Sequence, residues 1–154
     1  MTQGSHDLHF FYDAQGKPGM VTYNDVDYFY VYHLQGDVVA LIDANGTQVV
    51  EYGYDAWGNP ISKTGSLAAT IGTLNPFRYR GYVYDEETGL YYLRSRYYNP
   101  KTNRFSNCDS VLAVNGAINI LNAFSYCCNC ASNMSDHSGA MSERETLESV
   151  FVYD

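Results

Sequence analysis

Residues 51–60 read EYGYDAWGNP, and the five positions Tyr54-Asp55-Ala56-Trp57-Gly58 decide how the rest of the chain is read. An aspartate carboxylate can accept hydrogen bonds from backbone N–H groups just ahead of it. A glycine three residues on takes the positive φ that closes a tight turn. The same unit recurs as Tyr12-Asp13-Ala14-Gln15-Gly16, as Ile42-Asp43-Ala44-Asn45-Gly46 and, one residue longer, as Tyr84-Asp85-Glu86-Glu87-Thr88-Gly89. Each copy lies between runs rich in Tyr, Val and Ile, which suit extended backbone. A repeated turn between such runs predicts successive antiparallel β-hairpins, with Asp13, Gly16, Asp43, Gly46, Asp55, Gly58, Asp85 and Gly89 as the structural turn residues.

Working outward, strands are expected over residues 9–13, 19–23, 28–34, 38–42, 48–54, 77–84 and 90–98, with further turns at Asn24-Asp25 and Gln35-Gly36-Asp37. The pattern lapses between Gly58 and Pro76. There, residues 66–72, opened by a serine and closed by a glycine, predict one helical turn within a longer connection, a hinge between a front sheet and a rear hairpin. Past Asn99 the composition changes. Residues 111–126 are apolar with scattered asparagines and predict short helical pieces. Ser142-Glu143-Arg144-Glu145 has the pattern of a capping box opening a short amphipathic helix that carries Leu147, Val150 and Phe151 on one face. The expected class is mainly β, with short helical pieces in the C-terminal third. Three regions are expected: repeat strands and connection over 1–76, a core hairpin over 77–110, and a C-terminal region with a short tail over 111–154.

The 154 residues are 45% hydrophobic and 16% aromatic, with sixteen tyrosines and a net charge of −8. Charge is distributed unevenly. Residues 1–76 set eight acids against Lys17 and Lys63; residues 77–104 set six bases against Asp85, Glu86 and Glu87; residues 105–154 set six acids against Arg144. A basic middle between acidic flanks points to neutralisation within the molecule, whereas nucleic-acid binding calls for a domain-wide basic excess. No run approaches the ~18 apolar residues of a membrane span, and residues 1–19 lack a basic start followed by an apolar stretch. Cys108, Cys127, Cys128 and Cys130 crowd the last third, and C-C-N-C lacks the spacing of a four-ligand zinc site, so reduced thiols and no metal or cofactor are expected.

The densest stretch is YRGYVYDEETGLYYLRSRYYNPKTNRF, residues 79–105, with seven tyrosines and five basic residues. If Tyr84 lies opposite Leu90, then Tyr82 faces Tyr92, Arg80 faces Arg94 and Arg78 faces Arg96. Paired tyrosines stabilise such a ribbon and facing arginines repel. Arg78, Arg80, Arg94 and Arg96 would then form a basic patch that receives carboxylates from elsewhere in the molecule.

The run from Phe77 to Tyr82, the continuation from Tyr84 to Tyr98, and Arg104-Phe105 together resemble the RHS repeat-associated core of RHS or YD-repeat proteins. The upstream Leu34-Gln35-Gly36-Asp37-Val38-Val39 and Tyr54-Asp55-Ala56-Trp57-Gly58-Asn59-Pro60 are similar to the repeats that precede it. The resemblance covers most of residues 8–110. It implies hairpins of YD-repeat type forming part of a spiralling β-shell that encloses a C-terminal region, often that of a polymorphic toxin, with the core segment curling inward as a plug at one end. It also implies export or cell-surface delivery of the full-length relatives. On this reading the chain is the C-terminal segment of a larger encapsulating protein. Its partners are the rest of the shell or its own C-terminal region, and it self-associates in isolation through unpaired strand edges.

In many relatives the core is an aspartyl autoprotease, and the resemblance carries its catalytic residues to Asp109, Asp136 and Arg96. Two close carboxylates cannot both ionise freely, so one serves as acid while the other activates water. The surrounding turns depart from the family pattern: Ser110 follows Asp109, and His137 follows Asp136, where proline is usual. A third reading is a surface-binding module presenting tyrosines to carbohydrate or protein. No Gly-x-Ser-x-Gly elbow, phosphate-binding glycine loop or His-Glu-x-x-His is present.

Overall fold

The computed structural model describes residues 2–3, 6–107, 124–132, 134–136, 139 and 143–144. An antiparallel meander comes first: β1 (Thr2–Gln3), β2 (His6–Tyr12), β3 (Pro18–Tyr23), β4 (Val26–Tyr32), β5 (Val38–Ile42), β6 (Gln48–Tyr54) and β7 (Pro60–Thr64), seven strands hydrogen-bonded in sequence order. The turns behind this regularity share one design. Asp13 Oδ1 accepts from the N–H groups of Gln15 at 2.9 Å and Lys17 at 2.8 Å, and Gly16 N–H donates to the Asp13 carbonyl at 3.0 Å. Asp43 and Asp55 do the same with Asn45, Thr47 and Gly46, and with Trp57, Asn59 and Gly58. Gly16, Gly46 and Gly58 stand at φ near +80°, and the register shifts by one residue beside each turn. This is a three-residue loop closed by a glycine bulge, which fixes the register and strengthens the twist.

One face of the meander is packed. Tyr30, Leu41 and Val50 lie directly opposite one another on neighbouring strands, as do Phe10, Val21 and Tyr28. Burial of Val21, Leu41 and Val50 is complete. At roughly 1.5–3 kcal/mol for each fully buried aliphatic side chain, this face supplies much of the driving force. The covering layer is the 65–78 connection, with the short helix α1 (Ile71–Leu74) at its centre and Ile71 fully buried. The connection is therefore a packed plug where the sequence suggested a hinge, and its helical turn lies at the end of the 66–72 segment, not over all of it. Asn75, also fully buried, holds it in place. Asn75 Oδ1 accepts from the Tyr30 hydroxyl at 2.7 Å and from Phe77 N–H at 3.2 Å, and Asn75 Nδ2 donates to the Tyr52 hydroxyl and the Phe77 carbonyl.

A second sheet follows, in the order β11 (Arg104–Phe105), β10 (Arg96–Asn99), β9 (Leu90–Leu93), β8 (Val83–Asp85). Here the structure corrects three expectations. Residues 77–84 do not form one strand: Tyr79–Gly81 is a single 3₁₀ turn, and Phe77 bridges back to Val83. Arg80 takes φ +55° there, its N–H held by Asp37 Oδ1 at 2.9 Å. The run 90–98 likewise breaks at Arg94, φ +61°, into two paired strands. The register of the core hairpin is Asp85↔Leu90, Tyr84↔Tyr91 and Val83↔Tyr92, one residue from the expected one, so no arginine faces another. A final pair joins β12 (Met134–Ser135) to β13 (Glu143–Arg144), where the sequence suggested the start of a helix. Residues 111–123 and 145–154, with most of the expected C-terminal helical pieces, lie outside the described residues; Cys127–Asn129 forms a 3₁₀ turn.

Candidate functional site

Tyrosines form the centre of the second half. Tyr91 and Tyr98 pair across β9 and β10, and both are fully buried. The Tyr126 ring stacks on Tyr98 at 4.0 Å between centroids, while Tyr79, Tyr82 and Phe105 close the cluster edge-on or tilted. Aromatic pairs in such geometries contribute roughly 0.5–1.5 kcal/mol beyond the area they bury. Burial raises the hydroxyl pKa of Tyr79, Tyr82, Tyr91, Tyr98 and Tyr126 above the ordinary 10.0. Each therefore stays neutral and acts as a hydrogen-bonding group. Three hydroxyls reach three consecutive carbonyls of the Asp55 turn: Tyr79 to Ala56 at 3.1 Å, Tyr98 to Trp57 at 2.6 Å and Tyr91 to Gly58 at 2.7 Å. The repeat turn of the first sheet is thereby seated in the second.

The four arginines expected in one patch go to different places. Arg78 is buried with its guanidinium 4.3 Å from the centre of the Tyr52 ring. It donates to the carbonyls of Asn75 and, at 2.7 Å, Gly72, and pairs with Glu86 at 3.0 Å. Arg80, also buried, donates to the Ala131 carbonyl at 2.7 Å and the Gln35 carbonyl at 3.3 Å, with Asp37 at 3.9 Å. Arg94 lies exposed in the β9–β10 turn. The dispersal follows from the broken strands, since left-handed backbone at Arg80 and Arg94 turns those side chains off the ribbon face. Asp37 and Asn75 were not singled out from the sequence. Asp37 follows a turn glycine, a weak signal, and nothing local marks Asn75.

Arg96 and Asp136 come together. Arg96 opens β10 after the tight turn in which Ser95 N–H reaches the Leu93 carbonyl at 2.6 Å. Its guanidinium lies over the Phe105 ring, 3.6 Å from the ring centre, a cation–π contact in a desolvated setting. Its Nη2 stands 3.4 Å from Asp136 Oδ2, and its Nε donates to the Gly139 carbonyl. Asp136 is 1% exposed; its Oδ1 accepts from Gly139 N–H at 2.7 Å, and its own N–H donates to the Tyr82 hydroxyl at 3.2 Å. The Tyr82 and Tyr126 hydroxyls are 3.1 Å apart. A Cβ on Gly139 would come within 2.6 Å of the Leu93 carbonyl oxygen, so the Asp136 turn sits directly against the β9–β10 turn. The arrangement binds a buried carboxylate to a buried cation with hydrogen bonds on both oxygens, the condition under which such a pair is tolerated. Asp109 lies outside the described residues, as does Cys108. Cys127 is buried and Cys130 exposed, and neither is in a disulfide among the described residues. Among the described residues no group of three His, Cys, Asp or Glu could hold a metal ion, and no helix is long and apolar enough to cross a membrane.

Comparison with known proteins gives the same architecture. A segment of the tRNA3(Ser)-specific nuclease WapA of Bacillus spizizenii is 46% identical over 98 residues, 64% of this chain and 4% of the relative. The tRNA nuclease WapA of Bacillus subtilis is 50% identical over 82 residues, 53% of this chain and 3% of the relative. Among solved structures, the TcdB2-TccC3-Cdc42 crystal structure superposes with a TM-score of 0.73 at 21% identity, covering 88% of this chain and 6% of that one. A Photorhabdus luminescens Tc holotoxin pore superposes equally well, with a TM-score of 0.73 at 22% identity over 92% of this chain and 7% of that one. The chain thus spans a few per cent of the length of these proteins. The Teneurin YD-shell family model matches residues 2–125, four-fifths of the sequence. With its Asp-to-Gly turns, its meander and its tyrosine-centred core hairpin, the chain belongs to the Teneurin YD-shell family.

Proposed function

We propose that the chain is a terminal arc of an RHS/YD-repeat shell, in which the 77–110 hairpin and the 111–154 region plug one end and enclose a C-terminal region. Its structural role as a shell segment follows from the family. The observation that supports the plug reading is the fastening of the C-terminal segment to the core hairpin: Arg80 holds the Ala131 carbonyl, and Arg96 holds Asp136 and the Gly139 carbonyl. The wall itself is held to the core hairpin by the three tyrosine hydroxyls on the Asp55 turn.

A shell arc without its neighbours has open sheet edges. β7 is one, solvent-exposed along its whole length with Ile61 69% exposed, and an unpaired edge recruits other strands. Light scattering after size exclusion tests this. The isolated chain is expected to associate, and Ser62→Pro in β7 to reduce the association; a monomer stable at high concentration would count against the arc.

Self-cleavage is the second reading, and the 3.4 Å approach of Arg96 to Asp136 favours it. With Asp109 as the second carboxylate, one acid would protonate the leaving amide nitrogen while the other takes a proton from the attacking water. Intact mass after days at neutral and mildly acidic pH decides between the readings. Loss of a tail peptide, abolished by Asp136→Asn, supports cleavage, whereas an unchanged full-length mass leaves Asp136 as a latch.

A further inference from the structure

Between the Gly16 and Gly36 turns and the core hairpin runs a groove of about 450 Å³, with Phe77, Tyr82 and Tyr92 among its walls and Lys17, Arg80 and Arg94 as its charges. Among the described residues neither Lys17 nor Arg94 has a carboxylate partner; the Lys17 ammonium rests over the Tyr32 ring at 3.6 Å. No acid among the described residues contributes to the lining. On a chain of net charge −8 this is an unusual surface. A second groove of about 420 Å³, with Tyr84 in its wall, has the opposite character: its rim carries Asp85, Glu86 and Glu87.

We propose that the basic groove receives the chain's own acidic segment, residues 145–154. That segment carries Glu145, Glu148 and Asp154 with no base, interleaved with Leu147, Val150, Phe151, Val152 and Tyr153. Its composition complements a cationic groove with an aromatic floor, and the acid-rimmed groove repels it. The geometry brings it to the entrance. Arg144 pairs with Met134, and two residues before Met134 the Ser132 carbonyl accepts from Gln35 Nε2 at 3.0 Å, Gln35 being part of the groove wall. Ten residues reach up to roughly 33 Å, more than enough to lie along it. This docking goes beyond the shell reading and holds whether or not the chain closes a shell.

Hydrogen exchange on the full chain, read by mass spectrometry, tests it. Amides over 147–152 are expected to exchange about tenfold more slowly than in a synthetic peptide of residues 145–154. Lys17→Glu with Arg94→Glu should return them to the peptide rate, as should Glu145→Lys with Glu148→Lys. Combining Arg94→Glu with Glu148→Lys should restore protection. Unchanged exchange at Val21 and Tyr91 certifies the fold of each variant; if the groove variants lose it, the tail variants and the loss of protection in high salt carry the test. Exchange at the peptide rate in the unaltered chain overturns the proposal. So does protection indifferent to the groove charges, or protection that rises with protein concentration, which would put the tail on a second copy.

Discussion

The Tyr91 hydroxyl donates to the Gly58 carbonyl across 2.7 Å, and both residues are buried. Through this bond and its two neighbours a turn of the first sheet becomes part of the core of the second. The aromatic surplus of the sequence thus has a structural use: a tyrosine packs like phenylalanine in the cluster and still satisfies a carbonyl that the turn leaves without a strand partner.

Tyr91→Phe keeps the ring and removes the donor, stranding the Gly58 carbonyl. A loss of about 1–3 kcal/mol is expected, read as a lower midpoint in urea with an unchanged slope. A neutral result would mean that water replaces the hydroxyl and that the turn is not sealed into the core.

Gly58 and Gly16 occupy equivalent turn positions, at φ +83° and +79°, but in different surroundings. A Cβ on Gly58 would lie 2.4 Å from the Tyr79 ring, whereas one on Gly16 meets nothing within 4 Å. Gly16→Ala should cost only the backbone strain, about 1 kcal/mol, and Gly58→Ala at least twice as much because the tyrosine cluster must move. Denaturant midpoints of the two variants check the contrast, and equal losses would refute it.

The fourth turn of the meander lacks the aspartate. His33 N–H donates to the Asp37 carbonyl at 2.8 Å and Gly36 N–H to the His33 carbonyl at 2.9 Å, repeating the backbone bonds of the Asp13 turn. Replacing His33 by Asp supplies the missing acceptor for the N–H groups of Gln35 and Asp37. The expected gain is about 0.5–1 kcal/mol, visible as a raised melting temperature. No gain would indicate that the Asp37 carboxylate opposes a second acid so close by.

These turns were legible because their logic is local: an acceptor, a positive φ and flanking strand formers lie within five residues. The register of the core hairpin was not, because it depends on Asp37 capturing the Arg80 N–H from more than forty residues away. Left-handed arginines carry no sequence mark, so residues 77–84 and 90–98 each read as unbroken strands. β7 was missed because Pro-Ile-Ser-Lys-Thr is too polar for a buried strand, and as an exposed edge it has no need of apolar alternation. The meeting of Arg96 with Asp136 was anticipated through family resemblance alone; composition suggested only that arginines would meet acids.

Glu86 joins the connection to the core hairpin, accepting from Lys63 Nζ at 2.9 Å and Arg78 Nη2 at 3.0 Å. Partial burial raises its pKa, but these two cations outweigh that and hold it below the ordinary 4.5. A depressed carboxylate pKa contributes stability that is present above the unfolded value and disappears as pH falls through the folded one. Stability should therefore decline below about pH 4.5, and Glu86→Gln should flatten that decline while costing under about 1 kcal/mol at pH 7, since the carboxylate is 41% exposed. Urea midpoints between pH 3 and 7 for both proteins decide it; parallel curves would remove Glu86 from the acid response.

At the alkaline end the tyrosines act together. Burial raises the pKa of eleven of the fifteen tyrosines among the described residues, from Tyr28 and Tyr30 in the first sheet to Tyr98 and Tyr126 in the second. A phenol whose folded pKa exceeds its unfolded value of about 10 contributes stability in full below that pH and loses it as the pH climbs. Because the folded state keeps these protons and the unfolded state releases them, the loss steepens with each tyrosine that shares the burial. The chain should therefore unfold cooperatively above about pH 10, most of its tyrosinate absorbance appearing in the same transition as the loss of β-sheet circular dichroism. Gradual ionisation of all the tyrosines with the sheet intact would show that the hydroxyls are reached by solvent, and the sealed cluster that seats the Asp55 turn would have to be abandoned.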